Sequence, residues 1–315
     1  MDAPQAVCPR RLYLEMHMKK LIAAWLIAIG MLGCGGGGTD TGPGSPLTGR
    51  LVGEIIGTPA EIQSAELVSN AGYTGYVPTS NALQDAGKQN LLDMLFVFHG
   101  AGTVGRSHNK VADDAEAKLA QYVADNQRLL TPGIRVLIMD EVYWNPPDAS
   151  DAVQVLQPQL DALQAGVALV RKYIPHAKVG ITVTPYAASG RPNTLAYIQR
   201  AVALVDWVGT DPYWFGDAGN VQELHAWSGS FHGIAKQANP RVETWFIAQA
   251  FKDPRWDTAT FNAYMAQQLA YADQYDHLIF FGWQHTSELD SAFAGRHFSA
   301  ETKRVYSKYL KSPPS

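Results

Sequence analysis

Acidic side chains follow two apolar runs of this sequence at the positions where a strand would end. Asp140 and Glu141 come directly after the run 134–139, and Asp211 comes after the run 204–209. A carboxylic acid placed beside a second carboxylate can transfer a proton, and the partner can stabilise developing positive charge. We therefore predict acid–base chemistry with Glu141, Asp140 and Asp211 as the catalytic candidates.

Polar and aromatic residues recur at the ends of the other apolar runs. Side chains of this kind that converge on one rim are typical of a pocket for a small polar ligand such as a sugar. Aromatic rings offer broad faces for stacking, and amide and imidazole groups offer hydrogen bonds. The predicted substrate-binding residues are His99, Tyr143, Tyr186, Tyr213, Trp214, Gln249, Trp283 and His285.

The elements that must position these residues alternate between apolar runs and helical periods. Short apolar runs of this length predict buried strands, and the segments between them have apolar residues at helical spacing. Eight such units over 49–315 predict a single (β/α)8 barrel, which usually takes ~250 residues, and the alternative is an open doubly wound sheet. The predicted strands are 51–56, 75–77, 95–98, 134–139, 179–183, 204–209, 244–248 and 278–281.

The first 48 residues are predicted to lie outside the barrel. A basic pair and a short apolar core follow Met18, which is the expected true start, and are typical of a secretion signal. The segment ending in Gly33 and Cys34 resembles the bacterial lipobox, which implies removal of 1–33 and lipidation of Cys34. Residues 34–48 then form a glycine-rich tether. The alternative to cleavage is an uncleaved membrane anchor. If the cysteine is lipidated, Gly35 after it favours location in the outer membrane of a Gram-negative bacterium.

Composition and motifs disfavour several other classes. A net charge of −4 without a basic cluster argues against a nucleic-acid partner. The segment 100–105 matches a dinucleotide fingerprint, but no helical period opens at its last glycine, so a rim loop is the favoured interpretation. Neither a Walker lysine motif nor a paired-histidine zinc motif occurs, and the mature chain keeps one cysteine. We expect no cofactor and no metal, and an oligosaccharide or polysaccharide as partner besides the membrane.

The array of strand ends, with Asp140 and Glu141 on the fourth strand and Asp211 on the sixth, resembles the barrel glycoside hydrolases. In the large clan of retaining barrel enzymes, the resemblance implies a nucleophilic glutamate at the end of strand seven, where this chain has Gln249. An amide is not a competent nucleophile. The adjacent acids also resemble the pair of family 20 hexosaminidases, which implies Glu141 as general acid and Asp140 as the group that orients the substrate's 2-acetamido nucleophile. Alternatively, Glu141 and Asp211 form the carboxylate pair.

The sequence therefore predicts a lipid-anchored glycoside hydrolase-like barrel with Glu141 as general acid or base and Asp140 or Asp211 as the second carboxylate. The competing hypothesis is a non-catalytic glycan-binding barrel, which the amide at Gln249 favours. A structural envelope lipoprotein is a third possibility, which leaves the rim aromatics unexplained.

Overall fold

The structure is a computed structural model, and it describes part of the chain. The described residues are 49–75, 77–98, 109–143, 151–188, 190–213, 221–284, 294–312 and 314, with the backbone alone at 186, 187 and 221. The signal segment, Cys34 and the tether therefore lie outside the described residues, as does the glycine-rich segment 100–105. No helix in the described part of the chain is both long enough and apolar enough to cross a membrane.

Eight parallel strands pair in chain order and close into a barrel, since β8 pairs with β1. The predicted (β/α)8 fold is confirmed. All-parallel strands are buried on both faces, which explains why most of them are continuous apolar runs. The strands are β1 Val52–Ile55, β2 Ala71–Thr74, β3 Gln89–Asp93, β4 Arg135–Met139, β5 Lys178–Val183, β6 Trp207–Thr210, β7 Glu243–Gln249 and β8 His277–Phe281.

Helices cover the outside of the barrel. The longest follows β4 and begins at Val153, so that Pro158 lies inside it. Pro158 lies in the second turn, where the missing amide removes a single hydrogen bond close to the helix end. The helices are α1 Pro59–Ser64, α2 Val77–Asp85, α3 Ala115–Asp125, α4 Val153–Tyr173, α5 Pro185–Ala188, α6 Pro192–Val202, α7 Val221–Ala238, α8 Thr258–Ala272 and α9 Ala300–Val305.

The second and third strands differ from the prediction. The third strand is Gln89–Asp93, and the apolar run predicted there forms a 3-10 turn over Leu95–Val97. Phe98 after this turn is buried on the outer side of the barrel, where it packs so closely against Gly166 of α4 that an added Cβ would lie 2.4 Å from the ring. The run is apolar because it fills the space under a helix, whereas the true strand begins with polar residues.

The barrel interior is filled by large side chains from alternate strand positions. Trp207 of β6 lies across Gly180 of β5, where an added Cβ would approach the indole to 2.0 Å. Glycine is therefore required at position 180 for the ring to enter. The tryptophan also contacts Trp245 of β7, with ring centroids 6.0 Å apart. The interior apolar cluster consists of Ala71, Leu91, Leu137, Trp207, Trp245 and Ile279.

A charged cluster closes the N-terminal end of the interior. Arg135 donates two hydrogen bonds to Glu243, at 2.7 and 3.0 Å, and Lys178 donates another. The His277 ring lies 3.6 Å from the same carboxylate. Burial opposes ionisation of Glu243, but the bonds from these three partners outweigh it and hold the pKa of the carboxyl well below its usual range. The four residues begin β4, β5, β7 and β8, so the cluster ties four strands together.

Glu54 of β1 faces the helices. It alternates with Val52, which belongs to the outer core, and its side chain is fully buried. Gln284, after β8, donates to its Oε2 at 3.0 Å. Burial raises the pKa of the Glu54 carboxyl from its ordinary 4.5 to about 7, against the Gln284 bond and the charges of Lys88 and Lys311.

This buried acid predicts a loss of stability toward alkaline pH. Because its pKa is raised on folding, its contribution is fully present below about pH 4.5 and is lost as the pH rises through about 7. The full shift corresponds to about 3 kcal/mol. We expect the wild type to melt at a lower temperature at pH 8 than at pH 5, and Glu54→Gln to remove most of that difference. The melting temperatures are measured by circular dichroism. An equal change of melting temperature with pH in both proteins would assign the difference to other groups.

Candidate active site

An irregularity in β4 directs Asp140 into the mouth of the barrel. Leu137 pairs with Gly180, but Met139 pairs with Ile181, so β4 carries one extra residue at this point. Both Ile138 and Met139 then pack in the outer core. A bulge of this kind shifts the alternation by one position. Asp140 therefore takes the inward position that strict alternation would have given to Met139.

Glu141 and Tyr143 follow in left-handed backbone conformations, with φ of 46° and 65°. Residues with side chains rarely adopt these angles, and strained positions concentrate at functional sites. The Glu141 amide donates to Thr182 Oγ1 at 2.7 Å, and the Thr182 hydroxyl donates to Asp140 Oδ1. The Val142 amide donates to the Thr182 carbonyl at 3.0 Å. Thr182 of β5 thus holds three consecutive residues, Asp140, Glu141 and Val142.

Two residues that sequence reasoning missed, Tyr73 and Asp93, extend this cluster. The Tyr73 hydroxyl donates to Asp93 Oδ2 at 2.9 Å, and the Leu95 amide donates to Oδ1 at 2.8 Å. Burial, with the Asp93 and Asp140 carboxylates beside it, raises the pKa of Tyr73 well above its ordinary value. The phenol therefore remains a hydrogen-bond donor. Asp93 also ends a strand, and this signal was missed because the third strand was placed too late.

The opposite part of the rim carries Asp211, Tyr213 and Gln249. Asp211 follows β6 and is 5% exposed, and Gln249 ends β7 and is 1% exposed. The Gln249 side chain donates to the Phe251 carbonyl at 3.0 Å. Tyr213 stacks on Phe281 of β8, with ring centroids 5.1 Å apart and an interplanar angle of 24°. Both rings are partly exposed, so they form an aromatic wall on this side of the mouth.

Tyr143 and Trp283 point away from the mouth. Tyr143 is 4% exposed and meets Tyr197 of α6 edge-on at 6.0 Å. Trp283 is 1% exposed and packs against Tyr306 at 5.4 Å, because the chain turns outward at Gly282, where φ is 83°. These positions in the helix layer do not support the predicted sugar contacts of the two side chains.

The remaining predicted residues stay predictions. His99, Trp214, His285 and Cys34 lie outside the described residues, as does the side chain of Tyr186. Among the residues that are described, no group of three or more histidine, cysteine, aspartate or glutamate side chains is arranged to hold a metal ion.

The described mouth contains the parts needed for proton transfer to a hydroxylated ligand. Asp93, Asp140 and Glu141 are each partly exposed. Carboxylates at the C-terminal ends of barrel strands are the usual catalytic groups of this fold. Asp93 and Asp140 follow neighbouring strands, whereas Asp211 is separated from Glu141 by β5.

No protein-family model matches the chain, and no curated sequence matches it. Solved structures do resemble it. A protein from Bacteroides thetaiotaomicron described as a candidate α-L-fucosidase aligns over 87% of this chain and 99% of its own length, with a TM-score of 0.57 and 9% identity. A thermostable mutant of a xylanase from Cellvibrio japonicus aligns over 74% and 86%, with a TM-score of 0.50 and 9% identity. The chain therefore shares the (β/α)8 fold of barrels named as glycoside hydrolases.

Proposed function

We propose that this protein is a glycosidase that acts on a carbohydrate at the C-terminal mouth of its barrel. Glu141 is the general acid or base, and Asp140 or Asp211 is the second carboxylate. The observation that carries the proposal is the pair Asp140 and Glu141 at the C-terminal end of β4, where a strand bulge turns Asp140 inward and Thr182 accepts a hydrogen bond from the Glu141 amide.

The chemistry of glycoside cleavage fits these parts. The leaving oxygen needs a proton, and the sugar ring that develops oxocarbenium character needs a negative group. Glu141 is partly exposed and can deliver the proton, while Asp140, held by the Thr182 hydroxyl, remains close by in the chain. The wall of Tyr213 and Phe281 offers a stacking surface for the apolar face of a sugar. The candidate α-L-fucosidase and the xylanase have similar barrels, and they support the proposal through the shared fold alone.

The test is a hydrolysis panel. The purified protein is incubated with aryl glycosides and with bacterial and plant polysaccharides, and released sugar is measured. Turnover of one substrate class supports the proposal, and a requirement for a 2-acetamido group selects the substrate-assisted route, in which Asp140 orients that group. Absence of turnover across the panel, with measurable glycan binding, would contradict a glycosidase.

A second candidate function, a non-catalytic glycan-binding barrel, is favoured by Gln249. This amide ends β7, is 1% exposed and is engaged with the Phe251 carbonyl. It takes the place of the nucleophile that the family resemblance implies. The lipid anchor at Cys34 and an outer-membrane location are compatible with either function and stay predictions.

A further inference from the structure

Thr182 makes three contacts with the segment that carries the acidic pair. Its hydroxyl oxygen accepts from the Glu141 amide at 2.7 Å, its hydroxyl hydrogen is donated to Asp140, and its carbonyl accepts from the Val142 amide at 3.0 Å. The side chain is 3% exposed and projects from the interior face of β5. We propose that Thr182 is a positioning residue of the active site, which sets the geometry of Asp140 and Glu141 together. This inference rests on the proposed glycosidase function.

The hydroxyl is needed because the backbone at Glu141 is not held by strand pairing. β4 ends at Met139, and Glu141 adopts a φ of 46° that its side chain disfavours. An amide in this conformation needs an acceptor, and Thr182 Oγ1 supplies it. Without that bond the segment can relax toward ordinary backbone angles, which redirects the Glu141 carboxyl. A displacement of about 1 Å costs roughly 10²-fold in rate.

The same hydroxyl donates to Asp140 Oδ1 and thereby orients that carboxyl. A hydrogen bond donated to a carboxylate favours its charged form, so its removal makes the group take up a proton at higher pH. Tyr73 and Asp93 face Asp140 from β2 and β3, and Glu141 is its neighbour in the chain. Since Tyr73 and Asp93 lie on β2 and β3, outside the segment that Thr182 holds, a shift in the titration of Asp140 reports the lost bond together with any movement of Glu141.

Thr182→Val tests the proposal, since valine matches the shape of threonine without the hydroxyl. Thr182→Ser restores the hydroxyl. The matched control is Thr244→Val, because Thr244 at the N-terminal end of β7 accepts from the Asp276 amide at 3.3 Å and donates to its carboxylate at 3.2 Å. Each protein is assayed for kcat and KM, for thermal unfolding, and for the titration of Asp140 by carbon-13 NMR.

We expect Thr182→Val to reduce kcat by roughly 10²-fold with little change in KM. It should also raise the pH at which Asp140 titrates, whereas Thr182→Ser and Thr244→Val keep wild-type values of both. Unchanged kcat and titration in a folded Thr182→Val protein would overturn the inference while leaving the glycosidase proposal standing. If the valine variant fails to fold, a large loss of kcat in folded Thr182→Ser would overturn the inference, because serine retains the hydroxyl. Should the wild type prove inactive, a shifted Asp140 titration still supports the positioning role, although the proposed function falls.

Discussion

Replacement of Glu141 by glutamine is expected to reduce turnover by about 10²–10⁴-fold, the usual contribution of a general acid or base. Glutamine keeps the size of the side chain but has no proton to transfer in the required pH range. The Glu141 amide bond to Thr182, at 2.7 Å, belongs to the backbone and is retained. The variant should therefore fold and bind glycan as the wild type does.

The measurement is kcat on the best substrate of the panel, with glycan binding and melting temperature determined on the same samples. Glu223→Gln is the matched control, because Glu223 is an exposed acid on α7. The control should keep full activity. Equal turnover in Glu141→Gln and the wild type would remove Glu141 from the mechanism and leave Asp140, Asp211 or Asp93 to be tested in its place.

The second large effect is expected at the opposite end of the barrel, where Glu243→Gln should lower the free energy of unfolding by about 3–5 kcal/mol. The carboxylate is bonded by Arg135 at 2.7 and 3.0 Å and by Lys178. A neutral amide leaves Arg135 without its counter-charge in a poorly solvated place, whereas the Lys178 side chain is 41% exposed and can be solvated by water. The energetic cost is largest at Arg135, since this residue is 9% exposed.

The pH dependence provides an independent check on Glu243. Its pKa is lowered on folding, so its contribution is present above the ordinary carboxyl value of 4.5 and is lost as the pH falls below it. Chemical denaturation at pH 7 and pH 3 should show a larger loss in the wild type than in Glu243→Gln. Glu116→Gln, which removes an exposed pair with Lys172, is the control and should change little. Similar stabilities of all three proteins at pH 7 would mean that the cluster contributes nothing.

The barrel could be predicted from sequence wherever a strand is apolar throughout. The strands β4 to β8 were located within a few residues, because burial on both faces requires continuous apolar runs. β3 could not be found in this way, since it begins with Gln89 and Asn90 while the apolar residues after it pack under α4. Asp93 was missed for the same reason, although its position at a strand end is the signal that identified Asp140.

The directions of side chains were less predictable than the strands that carry them. Alternation along β4 assigns Met139 to the interior, and only the pairing with β5 reveals the extra residue that brings Asp140 inward. Trp283 follows an interior-facing Phe281 closely, but the chain turns at Gly282 and buries the indole beneath the helices. Both cases depend on backbone conformations that side-chain patterns do not encode. Thr182, an ordinary strand residue in sequence, gains its role from the same geometry.

Glu54 affects how an activity profile of this protein should be interpreted. Its carboxyl is buried between β1 and the residues after β8, away from the acids of the mouth, and burial raises its pKa to about 7. A decline in rate above neutrality would therefore contain a contribution from the shrinking folded fraction, unrelated to any proton on Glu141. Activity and melting temperature measured over the same pH series separate the two, because only the chemical contribution persists in Glu54→Gln. A decline that disappears in Glu54→Gln would assign the alkaline limit to the stability of the barrel, which can then be changed without altering the acids of the mouth.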